Sequence, residues 1–167
     1  MWKKVGRIMK KDILLTVGLS QREIRKDEKV MYQVSYCYQV MDMQSGETFQ
    51  SAPAIAKERG YLKIKLAILI EMLTNYGPKF KKTKKNTYVH YAASDDRLKE
   101  IWHDVIFDGK KYNETFEVDN EVQWRKVIEL CRENKIILNI SGKNSVLSVL
   151  SKAQGDMLRR QLEEEGG

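Results

Sequence analysis

The sequence is poor in the residues that announce common chemistries. It has two cysteines, Cys37 and Cys131, each inside an apolar-patterned segment and far from any zinc spacing. That excludes a disulfide scaffold and reads as two buried thiols in a reducing, cytoplasmic compartment. Its two histidines, His90 and His103, have no neighbouring cysteine or serine motif, so no local catalytic triad is visible. No GxxxxGK[ST] or GxGxxG loop occurs, which removes the common nucleotide-binding signatures. No apolar run reaches the length of a membrane span. The basic start, "MWKKVGRIMKKDILLTVG", lacks the apolar length and small-residue cleavage site of a secretory signal. Asp12, Thr16 and Gly18 interrupt it, and "ILLTV" reads as a strand. Prolines are equally scarce: only Pro53 and Pro78, flanking one long segment.

What is present is a core and a positive charge. Of 167 residues, 42% are hydrophobic and 32% charged, which suits one globular domain and argues against wholesale disorder. The formal net charge of +7 is compatible with a polyanionic partner. It is unevenly spread. Lys3, Lys4, Arg7, Lys10 and Lys11 form a basic N-terminal extension over residues 1–11, and Lys79, Lys81, Lys82, Lys84 and Lys85 crowd the loop "KFKKTKK". Residues 163–167, "EEEGG", read as a frayed acidic tail. A lysine run is either a solvated loop or a phosphate contact, and composition does not choose.

Before Pro53 the pattern is β. Asp12 to Ser20 is a short apolar strand, "QREIRKDEK" a charged connection, and Val30 to Met43 a strand in which Val30, Tyr32, Val34, Tyr36 and Tyr38 alternate. "QSG" supplies a turn and "ETFQSA" a returning third strand. A helix is predicted from Ile55 to Asn75, with Leu62, Leu66, Leu69, Ile70 and Leu73 in one stripe, Ile64, Ile68 and Met72 beside it, and Gly77 and Pro78 as its stop. Asn86 to Ala93 is a fourth strand. Ser94 then caps a helix to about Val105, with Asp95 and Asp96 in its first turn, where the helix dipole favours them. Asp119 or Asn120 caps a third helix carrying Trp124, Val127, Ile128 and Cys131. Lys135 to Ser141 is strand five. "SGKNS" leads to a last helix with Val146, Leu147, Leu150, Ala153, Met157 and Leu158 inward, and is either a polar turn or, through Lys143, an anion contact. The strand aromatics, Phe49 and Tyr88 among them, read as sheet packing rather than base-stacking platforms, and Trp2 as a partner anchor or an edge cover.

The order β-β-β-α-β-α-α-β-α implies a single α/β domain, residues 1–167, with a five-stranded mixed sheet and helices on both faces. That order resembles the ribonuclease H-like superfamily. "EVQWRKVIELCRENKIILNISGKNSVLSVLSKAQGDM" (Glu121 to Met157) is similar to its closing helix–strand–glycine turn–helix unit, "LKIKLAILIEMLTNYG" to its first helix, and "NTYVHYAASDDRLKEIW" to its fourth strand and following helix. The resemblance covers nearly the whole chain through element order rather than one motif. It implies a cluster of four carboxylates, from the first strand, first helix, end of the fourth strand and last helix, holding two divalent metals at a phosphodiester. The matching positions here are Val17, Lys65, Ala93 and Gln154. Glu71 lies about 9 Å along the helix from Lys65, too far to substitute. A register slip would make Asp95, Asp96 or Asp156 fallback ligands, but Asp95 and Asp96 read better as first-turn helix acids.

The resemblance therefore implies a catalytically degenerate member without a metal or other cofactor. The expected function is binding to RNA or RNA–DNA hybrid backbone through the N-terminal basic residues, Lys79 to Lys85 and Lys143, with no membrane role. The alternative is a protein-binding inhibitor or accessory module, mobile-element or virus encoded, directed at a nucleic-acid-handling protein. A divergent metal-dependent nuclease ranks third.

Overall fold

The computed structural model of the protein describes residues 12–80 and 85–165. Its elements run in chain order as β1 (Ile13–Lys26), β2 (Lys29–Asp42), β3 (Thr48–Gln50), β4 (Ala54–Ile55), α1 (Tyr61–Phe80), β5 (Thr87–Ala92), α2 (Asp96–Glu100), a π-helical turn (Ile101–Ile106), α3 (Glu121–Glu133), β6 (Ile136–Ile140) and α4 (Ser148–Glu165). One mixed sheet has the order β3-β2-β1-β5-β6, with β4 also on β2. β1 is antiparallel to β2 and parallel to β5, and β5 is parallel to β6. Among the described residues no helix is long and apolar enough to cross a membrane.

Strand alternation sorts the core. Ile13, Leu15 and Val17 of β1 join Val89 and Tyr91 of β5 in the main cluster with Leu66, Leu69, Met72, Leu73, Trp102, Trp124 and Val127. The opposite sheet face carries Leu14 and Ala92 against Leu147, just ahead of α4. The helices thus cover both faces, as the order of elements implies. Cys37 and Cys131 are buried free thiols, and burial pushes Cys131 up to about 12, so it stays protonated near neutrality. His90 is also buried, its Nε2 2.8 Å from Asp12 Oδ2 and its Nδ1 3.3 Å from the Asn139 amide.

Several boundaries differ from the sequence reading, each for a physical reason. "QREIRK" is not a connection: β1 runs through it to Lys26, and Asp27 and Glu28 make a two-residue hairpin turn with φ of 53° and 64°. Such left-handed pairs match the twist of the flanking strands. The third strand is broken into β3 and β4, with Pro53, which has no N–H for a ladder, between them. α1 starts at Tyr61 because β4 and then Gly60, at φ 92°, hold the preceding chain out of helix. Nor do Gly77 and Pro78 stop it: Pro78 lies within its last turn, and Gly77 is buried where a Cβ would meet the Asn134 amide at 2.8 Å. Asp95, not Ser94, is the N-cap of α2, and Asn120 precedes α3 at φ 64° without a side-chain cap. In and before α4, Val146, Leu150 and Ala153 face solvent; Leu147, Gln154 and Leu158 are the buried residues.

Two contacts fix how the sheet is closed. Gly18 lies against α4, where a Cβ would stand 2.5 Å from the Gln154 carbonyl carbon. At the far edge, the π-helical turn covers β6: Trp102 Nε1 donates to the Leu138 carbonyl at 2.9 Å, and Ile140 N–H donates to His103 Nε2 at 3.0 Å. An edge strand otherwise presents unpaired backbone groups. Accepting from Ile140 requires a bare Nε2. Burial first, and then the Lys99 ammonium, hold His103 below the ordinary histidine value, against the pull of Asp104.

Gly18→Ala should cost about 2 kcal/mol in urea unfolding, because backbone rather than a movable side chain blocks the added methyl; a change within about 0.5 kcal/mol would contradict that close approach. His103 gives a pH dependence of definite sign. Its folded pKa lies below the unfolded value of about 6.5, so its contribution is complete above that pH and is lost as pH falls through the folded value. The urea midpoint of the wild type should therefore drop more between pH 7.5 and 5 than that of His103→Gln, which keeps an acceptor but does not titrate. Parallel profiles would show that His103 contributes nothing to the slope.

Candidate functional site

The parallel pairing of β1 with β5 ends at Thr16 and Ala92; β5 stops there, while β1 runs on beside β2 and leaves a rim at the end of β5. In sheets of this kind ligands bind beyond the carboxyl ends of parallel strands. A cleft of about 640 Å³ opens there between the start of α1 and the inner face of α4. Lys65 and Tyr61 line it from α1, Ser94 from the turn after β5, Lys143 from the loop after β6, and Ser148, Ser151, Lys152, Gly155, Asp156 and Arg159 from α4. Four cationic side chains thus face one carboxylate, that of Asp156.

Its centre is Lys65. The ammonium sits 3.8 Å from Asp95 Oδ2, and both side chains are largely buried, 13% and 16% exposed. Burial lowers the Lys65 pKa; Asp95 opposes that and the Lys143 ammonium adds to it. The helix backbone at Lys65 is fixed from the sheet, since Tyr91 Oη donates to its carbonyl at 2.7 Å. Asp95 is committed twice: Oδ1 accepts the Leu98 N–H at 3.0 Å as the cap of α2, and Oδ2 faces the ammonium. Ser94, at φ 51°, sets that corner, and its buried hydroxyl has no hydrogen-bond partner among the described residues. Asp96 Oδ1 accepts the Lys143 N–H at 2.9 Å, a contact that only a glycine at 142 leaves room for. Asp156 is paired with Arg159 at 3.1 Å.

These contacts separate the residues named from sequence. Val17 and Ala93 are fully buried in the core, next to the cleft rather than in it, and Ser151 Oγ donates to the Val17 carbonyl at 2.8 Å. Lys65 is in the cleft. Gln154 is not: it is buried on the sheet side of α4, accepting from Gln50 Nε2 at 3.1 Å and Cys37 Sγ at 3.5 Å. The α4 residues that line the cleft with Lys65 are Ser148, Ser151, Lys152, Gly155, Asp156 and Arg159. Glu71 accepts from Tyr36 Oη at 3.4 Å, away from the cleft. Asp95, Asp96 and Asp156 are near this rim, but each is engaged by a cap, a backbone N–H or an arginine.

The basic residues divide too. Lys143 lines the cleft. Lys79 is in the last turn of α1, its ammonium 5.0 Å over the Tyr76 ring, and lies fourteen residues, or about 21 Å of helix, from Lys65. Lys85 precedes β5, at the opposite end of that strand from the cleft. They belong to a different end of the molecule from Lys143. Lys3, Lys4, Arg7, Lys10, Lys11, Lys81, Lys82 and Lys84, like Trp2, lie outside the described residues. Ser94, Ser151, Lys152 and Arg159 were not singled out from sequence. The signal for most of them was available: Ser148, Ser151, Lys152, Gly155, Asp156 and Arg159 recur at i, i+3, i+4, i+7, i+8 and i+11, a polar stripe as regular as any apolar one.

A pair of divalent ions needs several anionic oxygens converging on one point. Among the described residues no group of three or more His, Cys, Asp or Glu side chains is placed to hold a metal ion. The side chains present do not fit such a pair; they fit a single oxyanion better, with ammonium and guanidinium groups and a free hydroxyl around one cleft.

No family model matches this sequence, and no curated protein matches it. Solved structures do. LC11-RNase H1, crystallised in complex with an RNA/DNA hybrid, superposes with a TM-score of 0.53 at 14% identity, over 88% of this chain and 93% of that one. The foamy viral protease–reverse transcriptase in complex with dsDNA gives 0.46 at 10% identity, over 87% and 90%. The N-terminal RNase H domain of rv2228c from Mycobacterium tuberculosis gives 0.39 at 9%, over 90% and 97%. The fold is ribonuclease H-like.

The double role of Asp95 yields a graded expectation. Asp95→Ala should lose about 1 kcal/mol or more in thermal or urea unfolding, because both the α2 cap and the partner of a buried ammonium go. Asp95→Asn keeps the cap acceptor and should lose less. Equal losses would mean that the cap contributes nothing.

Proposed function

We propose that this chain is a non-catalytic ribonuclease H-like protein that binds the sugar–phosphate backbone of RNA or RNA–DNA hybrid at the cleft beside β1 and β5. The observation that carries this reading is the Lys65 ammonium beside Asp95 at the rim where the resemblance calls for metal-held carboxylates. A lysine there supplies the positive charge that a dication would, without lowering the pKa of a water or stabilising a leaving oxygen. It can hold a phosphate; it has no means to cleave one. Lys143, Lys152 and Arg159 extend the same field across the cleft, and the net charge of +7 favours approach of any polyanion.

Contacts of this type read backbone rather than bases, so binding is weakly sequence-specific and depends on counterion release. The two buried free thiols are in keeping with a cytoplasmic site of action.

Fluorescence anisotropy with a labelled RNA–DNA hybrid, duplex RNA and duplex DNA tests this. With about four phosphate contacts, affinity should fall on the order of 100-fold between 50 and 200 mM salt. Lys152→Glu and Arg159→Glu, both at the cleft, should each weaken binding at low salt, and no hybrid should be cut with Mg²⁺ or Mn²⁺. Absence of binding to all three duplexes at 50 mM salt, or metal-dependent cleavage abolished by Asp95→Asn, would overturn the proposal.

A further inference from the structure

The two edges of the sheet are treated differently. β6 is covered by Trp102 and His103. β2 is paired by β3 as far as Gln39 and by β4 at Tyr36 and Ser35, and the last bond on that side is Ala56 N–H to the Val34 carbonyl at 2.9 Å. There the chain turns away through residues 57–60. Beyond it, β1 and β2 continue as a two-stranded ribbon to the Asp27–Glu28 turn, and from Lys29 to Gln33 the outer edge of β2 meets no strand among the described residues. These five residues span about 17 Å, and along them Val30 and Tyr32 turn their backbone donors and acceptors outward, as Val34 does.

Beside this edge lies a groove of about 830 Å³, between the ribbon, residues 56–60 and the first turn of α1. Val30, Met31 and Tyr32 line it from the ribbon and are 50%, 52% and 65% exposed; Tyr61, 47% exposed, and the buried Ile64 line it from α1. Scattered exposed apolar residues are ordinary, but three consecutive ones on an unpaired strand edge are what proteins normally avoid. The groove carries Lys26, Lys57 and Arg59 against one acid, Glu58.

We propose that this edge is a docking site for an extended segment of another protein, apolar at alternate positions and acidic between them, which adds to β2 as a strand where β4 leaves off. The open backbone dictates the extended form, the apolar residues take alternate side chains, and the cationic rim selects acids. A second copy of this chain fits less well, since it would set rim against rim in a protein of net charge +7. The groove adjoins the proposed nucleic-acid cleft, with Tyr61 lining both, but the docking proposal does not rest on that reading.

The probe is a capped, fluorescein-labelled (Glu-Val)₄ peptide, with (Lys-Val)₄ and a (Glu-Val)₄ N-methylated at every valine as controls. Anisotropy should show (Glu-Val)₄ binding at least tenfold more tightly than either control. The exposed double variant Lys57→Glu/Arg59→Glu should lose at least tenfold. Hydrogen exchange should slow at least tenfold in the amides of Val30 and Tyr32, which point away from β1, when the peptide is bound. Failure of (Glu-Val)₄ to bind, equal binding of the N-methylated peptide, or protection confined to other strands would overturn the proposal. So would protection of Val30 and Tyr32 that grows with protein concentration alone alongside dimer in sedimentation, which would assign the edge to a second copy.

Discussion

A largely buried ammonium beside a carboxylate is the interaction on which the rest turns. Lys65 and Asp95 meet where α1, β5 and α2 come together, 3.8 Å apart. Removing either partner leaves the other buried and uncompensated, which is costly. The pair therefore constrains the corner beyond its own attraction. Asp95 caps α2 while facing Lys65, the α1 backbone is tied to Tyr91, and the left-handed Ser94 makes the turn between strand and cap. The same pair fixes the sign of the cleft. With Asp95 already engaged, the other described residues lining the cleft include Lys143, Lys152 and Arg159 against the single carboxylate of Asp156.

The periodic parts of this fold were legible in the sequence. The apolar surface of α1, the Trp124–Val127–Ile128–Cys131 stripe of α3 and the β6 segment all fall where their patterns place them. These are patterns that burial enforces directly. What was not legible depended on tertiary pairing. "QREIRK" looks like a loop because its charges are solvated, and they are: it is a strand whose ribbon stands clear of the helices. Pro78 reads as a helix stop, yet α1 runs two residues past it although a proline has no N–H to donate back to the Thr74 carbonyl. The solvent-facing Val146, Leu150 and Ala153 misled the orientation of α4, because apolar residues on a surface carry no information about which side is buried.

The site divides in the same way. Lys65 could be found because it lies in a helix whose register is fixed by apolar neighbours. Val17 and Ala93 directly follow Thr16 and Ala92, the last pair of the β1–β5 ladder, and are buried beside the cleft. Gln154 failed because register along α4 was inferred from the wrong face. Gly18 sets that register: it lets the helix backbone descend onto β1 at Gln154 and so turns Ser148, Ser151 and Lys152 towards the cleft. Such a contact between a glycine and a backbone distant in sequence leaves no pattern to read.

The central claim is that an ammonium occupies the ground a dication would need, and paramagnetic broadening of backbone amides by Mn²⁺ addresses it most directly. In a ¹H–¹⁵N spectrum the account predicts that millimolar Mn²⁺ leaves the amides of Ser94, Asp95 and Ser151 no more broadened than those of exposed acids elsewhere on the surface. Selective, saturable loss of those three signals at micromolar Mn²⁺ would mean that the cleft holds a metal ion, and would contradict it.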